Sequence, residues 1–200
     1  MHWLRSIAAT APSYPAVWLI ETQQRPRNLV ERSRLRRETA QAVLAQQLGC
    51  PDGEVVISHD PAGQPRLAGP HASALHISLA TRAGVVAVAL ARRPVGVDLE
   101  LVDPDGPLPR EALHADELRT LDAIEAVTRP LAFARLWAAK EAYVKALGTG
   151  FARPPESFAV SLLAPDRFRI DGVAAEGMLH TIENGGQEIL AAAMIVLDEA

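Results

Sequence analysis

In Val95-Gly-Val-Asp-Leu-Glu-Leu101, the apolar residues Val95, Val97, Leu99 and Leu101 alternate with Gly96, Asp98 and Glu100. A strand of period two sends Asp98 and Glu100 out of one face, roughly 6–7 Å apart at Cα. Two carboxylates at that spacing can converge on one hard cation, and Gly96 on the same face predicts open space beside them. Taken alone, the pair is equally an ordinary solvated acidic face.

A second motif is Leu136-Trp-Ala-Ala-Lys-Glu-Ala-Tyr-Val-Lys-Ala-Leu-Gly148. Helical spacing stacks Trp137, Glu141 and Lys145 on one face, while Phe133, Leu136, Lys140, Val144 and Leu147 form a neighbouring, largely apolar stripe. Lys140 therefore lies on or beside the buried side. Glu141 and Lys145 also read as a plain i,i+4 surface pair. Against that reading, the 20 basic residues comprise 18 Arg and 2 Lys, and both lysines fall in this one helix. Lysine is a compact, mobile donor that can follow a phosphoryl oxygen or pass a proton. If Glu141 joins Asp98 and Glu100, three hard oxygen donors with two ammonium groups nearby suit Mg²⁺, or nearly as well Mn²⁺, beside substrate phosphates. The chemistry is phosphoryl-type transfer or hydrolysis.

These motifs need elements to hold them. The chain has 200 residues, 48% of them hydrophobic and 22% charged, enough to bury a core in one compact domain or two packed halves. A net charge of −4 argues against a dedicated nucleic-acid or membrane-surface binder. No apolar run approaches the ~20 residues of a membrane span, and Pro12 and Pro15 break the N-terminal stretch, so no signal peptide is read there. Cys50 is alone, which excludes an internal disulfide and fits a reducing cytoplasm.

No internal repeat is visible. Strands are expected at 16–20, 54–58, 75–79, 85–90 and 95–101, with turns at 60–63 and Gly69-Pro70. A helix is expected over 29–48, stopped by Gly49, with Leu35, Ala42, Val43 and Leu48 inward. Asp103-Pro-Asp-Gly-Pro107 reads as a linker between an N-terminal half, 1–102, and a C-terminal half, 103–200. Helices follow at 112–127 and 130–147, the second ended by Gly148 and Gly150, then strands at 157–163, 168–170, 178–182 and 188–197. The fold class is α+β, with two similar halves packed as a pseudo-dimer, each a helix against a small, mainly antiparallel sheet.

Gly96-Val-Asp-Leu-Glu100 followed by Trp137-Ala-Ala-Lys-Glu-Ala-Tyr-Val-Lys145 resembles the 4′-phosphopantetheinyl transferases, and the length is similar to the surfactin-synthetase type, a two-half monomer. Arg135-Leu-Trp137, Gly148-Thr-Gly150 and Pro155-Glu-Ser-Phe158 extend the likeness. The resemblance implies that coenzyme A binds between the halves, with Mg²⁺ on its pyrophosphate. A serine of an acyl- or peptidyl-carrier protein attacks the β-phosphorus and releases adenosine 3′,5′-bisphosphate. By position, Asp98, Glu100 and Glu141 would hold the metal. Glu141, directly or through a bound water, would take the serine proton. Lys140 and Lys145 would contact phosphates, Lys145 serving the leaving group, with Trp137 packing in support. Among Arg25, Arg27, Arg32, Arg34, Arg36 and Arg37, otherwise a solvated helix face, the resemblance points to Arg36 and Arg37 for the 3′-phosphate. Residues 111–127 would either receive an acidic carrier helix or simply pack as an amphipathic helix.

The family usually carries Ser-His on the strand before Gly-x-Asp-x-Glu, where this chain has Ala80-Thr81. Arg82 would supply the charge there, with Ser78 or Thr81 a hydroxyl; His76 lies too early. Gly63-Gln-Pro65 replaces Gly-Lys-Pro, with Arg66 as the compensating cation. Two alternatives stay open: a non-catalytic relative binding coenzyme A or a carrier, and a metal-dependent phosphodiesterase or nuclease.

Overall fold

The computed structural model describes residues 2–69, 74–149, 153–186 and 188–198. Pro70 of the second expected turn and Gly150 of the helix stop lie outside the described residues.

The chain folds as β1 (His2–Leu4), β2 (Ala16–Glu21), α1 (Leu29–Leu48), β3 (Val56–His59), β4 (Pro65–Ala68), β5 (His76–Arg82), β6 (Val85–Ala91) and β7 (Val95–Leu101). There follow α2 (Ala115–Ala123), α3 (Arg129–Leu147), β8 (Val160–Ala164), β9 (Arg167–Ile170), β10 (Glu176–Asn184) and β11 (Glu188–Val196). The fold is α+β, and β1 with β2 is the one parallel pair among the described strands.

Local signals set the helix bounds. The Asn28 side chain accepts from the Glu31 amide at 2.9 Å, and Gly49 turns the chain out of α1 at φ 69°. Leu35 and Val43 are buried as expected, Leu48 packs at the core's edge, and Ala42 is only half-buried because the buried face runs through Thr39, Ala40, Leu44 and Ala45. The expected helix over 112–127 shortens to α2. Leu121 is buried there and Leu118 and Ile124 pack against it, so the apolar face of this stretch is spent on the core.

One sheet has the order β1-β2-β6-β5, a second β7-β11-β10-β9-β8, and β3-β4 is a separate hairpin. Three apolar clusters define four layers. α1 covers one face of the first sheet through Leu35, Val43, Leu44, Trp18, Val86 and Val88. The two sheets meet through Val17, Leu19, Ala87, Ala89, Val95, Val97, Leu99 and Met194. α3 covers the far face of the second sheet through Ala138, Ala139, Ala142, Ala191, Ala193 and Ile195. β6 is buried along its whole length because both of its faces are covered. β7, the last strand of the stretch 1–102, hydrogen-bonds to β11, so the break at 103 runs through the second sheet. Among the described residues, no helix is long and apolar enough to cross a membrane.

Candidate active site

β7 and α3 build the site together. Val95, Val97 and Leu99 face the other sheet, which turns Gly96, Asp98 and Glu100 toward α3. A Cβ on Gly96 would fall 1.7 Å from the Ala142 carbonyl oxygen. The open space expected beside the carboxylates is therefore filled by the helix backbone. Glycine at this point lets α3, alanine-rich on that side, approach close enough to bring Glu141 and Lys145 to the strand.

Trp137, Glu141, Val144 and Lys145 line a cleft of about 360 Å³. Its other walls carry Arg36 of α1, His59 of β3, 62–64 of the β3–β4 turn, Pro65 of β4, Ser78 and Leu79 of β5, Gly148, Arg153 and Pro155. Trp137 stacks on Phe133 with ring centroids 6.1 Å apart. It also borders a second cleft, of about 380 Å³, with Arg82, Glu100 and Pro107. The carboxylate cluster thus sits between two openings.

Lys145 Nζ lies 2.6 Å from Asp98 Oδ1 and also donates to the Val97 and Leu79 carbonyls at 3.2 and 3.4 Å. Arg82 reaches Glu100 at 2.8 Å. Burial first, then the charge of Asp98, pushes the Glu141 carboxyl above its ordinary value, with Lys145 opposing and Glu100 adding. Burial likewise raises Glu100 against the pull of Arg82, with Asp98 adding to the rise. Glu141 therefore feels both strand carboxylates, and Glu100 feels Asp98.

The donor set suits a hard divalent cation in kind: oxygen ligands only, with a mutual repulsion that a cation relieves. In this arrangement the protein's own cations do that work on Asp98 and Glu100. Among the described residues, no three acidic or histidine side chains are gathered to hold an ion as they stand. A metal held at Asp98, Glu100 and Glu141 would compete with Lys145 for Asp98 Oδ1 and with Arg82 for Glu100 Oε1.

Lys140 is corrected. It is fully buried, 2.7 Å from Glu117 Oε1, and donates to the Pro155 and Phe158 carbonyls at 2.7 Å each. Glu117 in turn accepts from the His114 and Val160 amides. Every donor of the ammonium is spent inside the core, so it does not reach the cleft. Burial lowers the Lys140 pKa, and Glu117 opposes that shift.

The other expected cations divide. Arg36 enters the cleft, its pKa lowered by burial and by Arg32 and Arg37, whereas Arg37 is exposed and outside the cleft walls. Arg66 turns to Asp60, at 3.2 Å, also outside the cleft walls. Gln64 lines the cleft but donates to the Lys145 carbonyl at 2.8 Å, satisfying a carbonyl at the end of α3. Thr81 and Arg82 share a smaller cleft with Arg25 and Arg32, and the Thr81 hydroxyl is buried with no partner among the described residues. Ser78 is buried, its hydroxyl accepting from the Val97 amide at 3.0 Å, which ties β5 to β7.

Sequence reasoning missed Arg153 and Glu117. Glu117 sat inside a stretch read as amphipathic. Arg153 lies among prolines with no periodic pattern around it.

The family model described as 4′-phosphopantetheinyl transferase superfamily matches residues 94–192, the span holding Asp98, Glu100, Glu141 and Lys145. A protein of Synechocystis sp., provisionally named a 4′-phosphopantetheinyl transferase, is 28% identical over 156 residues covering 73% of this chain. The chain spans 63% of the length of that curated relative.

Proposed function

This chain belongs to the 4′-phosphopantetheinyl transferase superfamily, and from that premise we propose that it moves 4′-phosphopantetheine from coenzyme A to a carrier-protein serine. Adenosine 3′,5′-bisphosphate is the leaving group. The observation that carries the reading is the shared cleft: Glu141 and Lys145, one turn apart on α3, face it with Arg36 while Asp98 and Glu100 stand behind them on β7.

Arg36 and Lys145 bring positive charge to the phosphates of coenzyme A. Lys145, tethered to Asp98 by a mobile stem, can shift to the oxygen that gains charge as the leaving group departs. Glu141, its affinity for a proton raised by burial and by Asp98, is placed to take the proton of the attacking hydroxyl. A divalent cation, Mg²⁺ or Mn²⁺, held by Asp98, Glu100 and Glu141 would neutralise the diphosphate. The lone Cys50 accords with a cytoplasmic setting, and we read the working form as a monomer.

Intact-mass measurement of several apo acyl- and peptidyl-carrier proteins, incubated with the protein, coenzyme A and Mg²⁺, tests this. A gain of one phosphopantetheine, absent with Glu141→Ala, is expected. No gain on any carrier overturns the reading. A second reading, a relative that binds coenzyme A or a carrier without reacting, is favoured by one observation: Lys145 and Arg82 already occupy Asp98 and Glu100. Coenzyme A binding without carrier modification would select it.

A further inference from the structure

Arg153 is a cation set on an aromatic platform. Its guanidinium carbon lies 5.2 Å from the Tyr143 ring centroid and 5.1 Å from that of Phe158, and it donates to the Tyr143 hydroxyl at 3.2 Å. The platform is packed into the core. Tyr143 and Phe158 meet edge to face at 5.1 Å, both are buried, and the Lys140 ammonium sits 4.4 Å from the Phe158 ring centroid. Among the described residues, no carboxylate forms an ion pair with Arg153.

This side chain lines the same cleft as Arg36 and Lys145, in which Glu141 is the one acidic side chain among the described residues. Lys145 already has Asp98, Gln64 is spent on the end of α3, and Arg66 is spent on Asp60. Arg36 and Arg153 are thus the two cleft cations without a counter-ion among the described residues. Guanidinium has five donors in one plane; one nitrogen of Arg153 goes to the Tyr143 hydroxyl, two rings lie within reach of its carbon, and among the described residues no carboxylate pairs with the rest of its edge. An edge of that kind pairs with two oxygens of one phosphate.

We propose that Arg153 is a phosphate-binding residue of the coenzyme A cleft, holding the co-substrate together with Arg36 and setting its affinity. The proposal rests on the transferase reading. Its ligand chemistry, a phosphate oxyanion, is present twice in coenzyme A, as the diphosphate and as the 3′-phosphate.

Calorimetric titration of the full chain with coenzyme A and with dephospho-coenzyme A, for wild type, Arg153→Gln and Arg153→Lys, tests it. Arg153→Gln is expected to weaken coenzyme A about tenfold or more, the size of a lost charge-assisted hydrogen bond, with Arg153→Lys in between. A loss with both ligands assigns the diphosphate, and a loss with coenzyme A alone assigns the 3′-phosphate. Steady-state kinetics should show the change in KM for coenzyme A at nearly constant kcat, a split that mere loosening of the platform would not give. Wild-type affinity in both variants overturns the proposal. Should Arg153→Gln fail to fold, Arg153→Lys decides, since loss of the planar two-nitrogen fork alone must still raise the Kd. Failure of the wild type itself to bind coenzyme A removes the transferase reading, and this proposal with it.

Discussion

Glu141 pays an electrostatic penalty for its position, and the penalty is measurable. Its folded carboxyl holds a proton more tightly than the unfolded chain does, because burial and Asp98 oppose its charge. A raised acid destabilises the fold as pH climbs from the ordinary value of 4.5 through the raised one. Urea midpoints of metal-free wild type, compared with Glu141→Gln, should therefore favour wild type progressively less on going from about pH 5 to about pH 7.5. Parallel curves would show that Glu141 is not under that strain. Because the charge of Asp98 adds to the strain that burial imposes, Mg²⁺ should raise the Tm of wild type more than that of Asp98→Asn, by linkage to a native-state site. Lys140 makes the opposite kind of residue. Lys140→Met leaves Glu117 charged and buried, a loss of about 3–5 kcal/mol in denaturant unfolding. A cleft lysine would instead raise KM for coenzyme A at unchanged stability. The periods of strand and helix made Asp98, Glu100, Glu141 and Lys145 legible from sequence. The role of Lys140 was not, because its partner Glu117 lies on another helix and only the fold brings them together.

At the scale of elements, α3 and β7 function as one unit because Gly96 lets their backbones touch. Gly96→Ala places a methyl group against the Ala142 carbonyl, a backbone atom that cannot rotate away. Overpacking of this kind costs about 3 kcal/mol or more, and α3 must move off the strand to accept it. Denaturant unfolding should register that loss, and carrier modification should fall further than stability alone explains, since Glu141 and Lys145 move with the helix. Full activity in a stable Gly96→Ala protein would mean the site tolerates a displaced α3. The bounds of α1 and the C-terminus of α3 were readable because Asn28, Gly49 and Gly148 are local signals. β1 and β4 were not, being short strands of three and four residues. β1 is placed by its pairing with β2 and β4 by the hairpin it closes with β3, so neither shows itself by an alternation of its own.

At the scale of the molecule, the chain reads as two halves while the sheets divide it differently. The linker at 103–107 is a sound break in composition, yet β7, the strand before it, forms the edge of the second sheet through seven paired positions with β11. A fragment 1–102 would carry β7 without that partner and leave the apolar side of Leu99 and Val97, normally set between the sheets, partly uncovered. It would also lack α3, against which Gly96, Asp98 and Glu100 rest. Expressed alone, 1–102 should be unfolded or aggregated by circular dichroism and two-dimensional NMR, because an unpaired apolar edge strand invites association. Co-expressed with 103–200, it should recover a soluble complex, since the linker itself bears none of the core. A stable, folded 1–102 would show instead that the first sheet and α1 suffice without the second, and that the site is assembled by docking two autonomous halves.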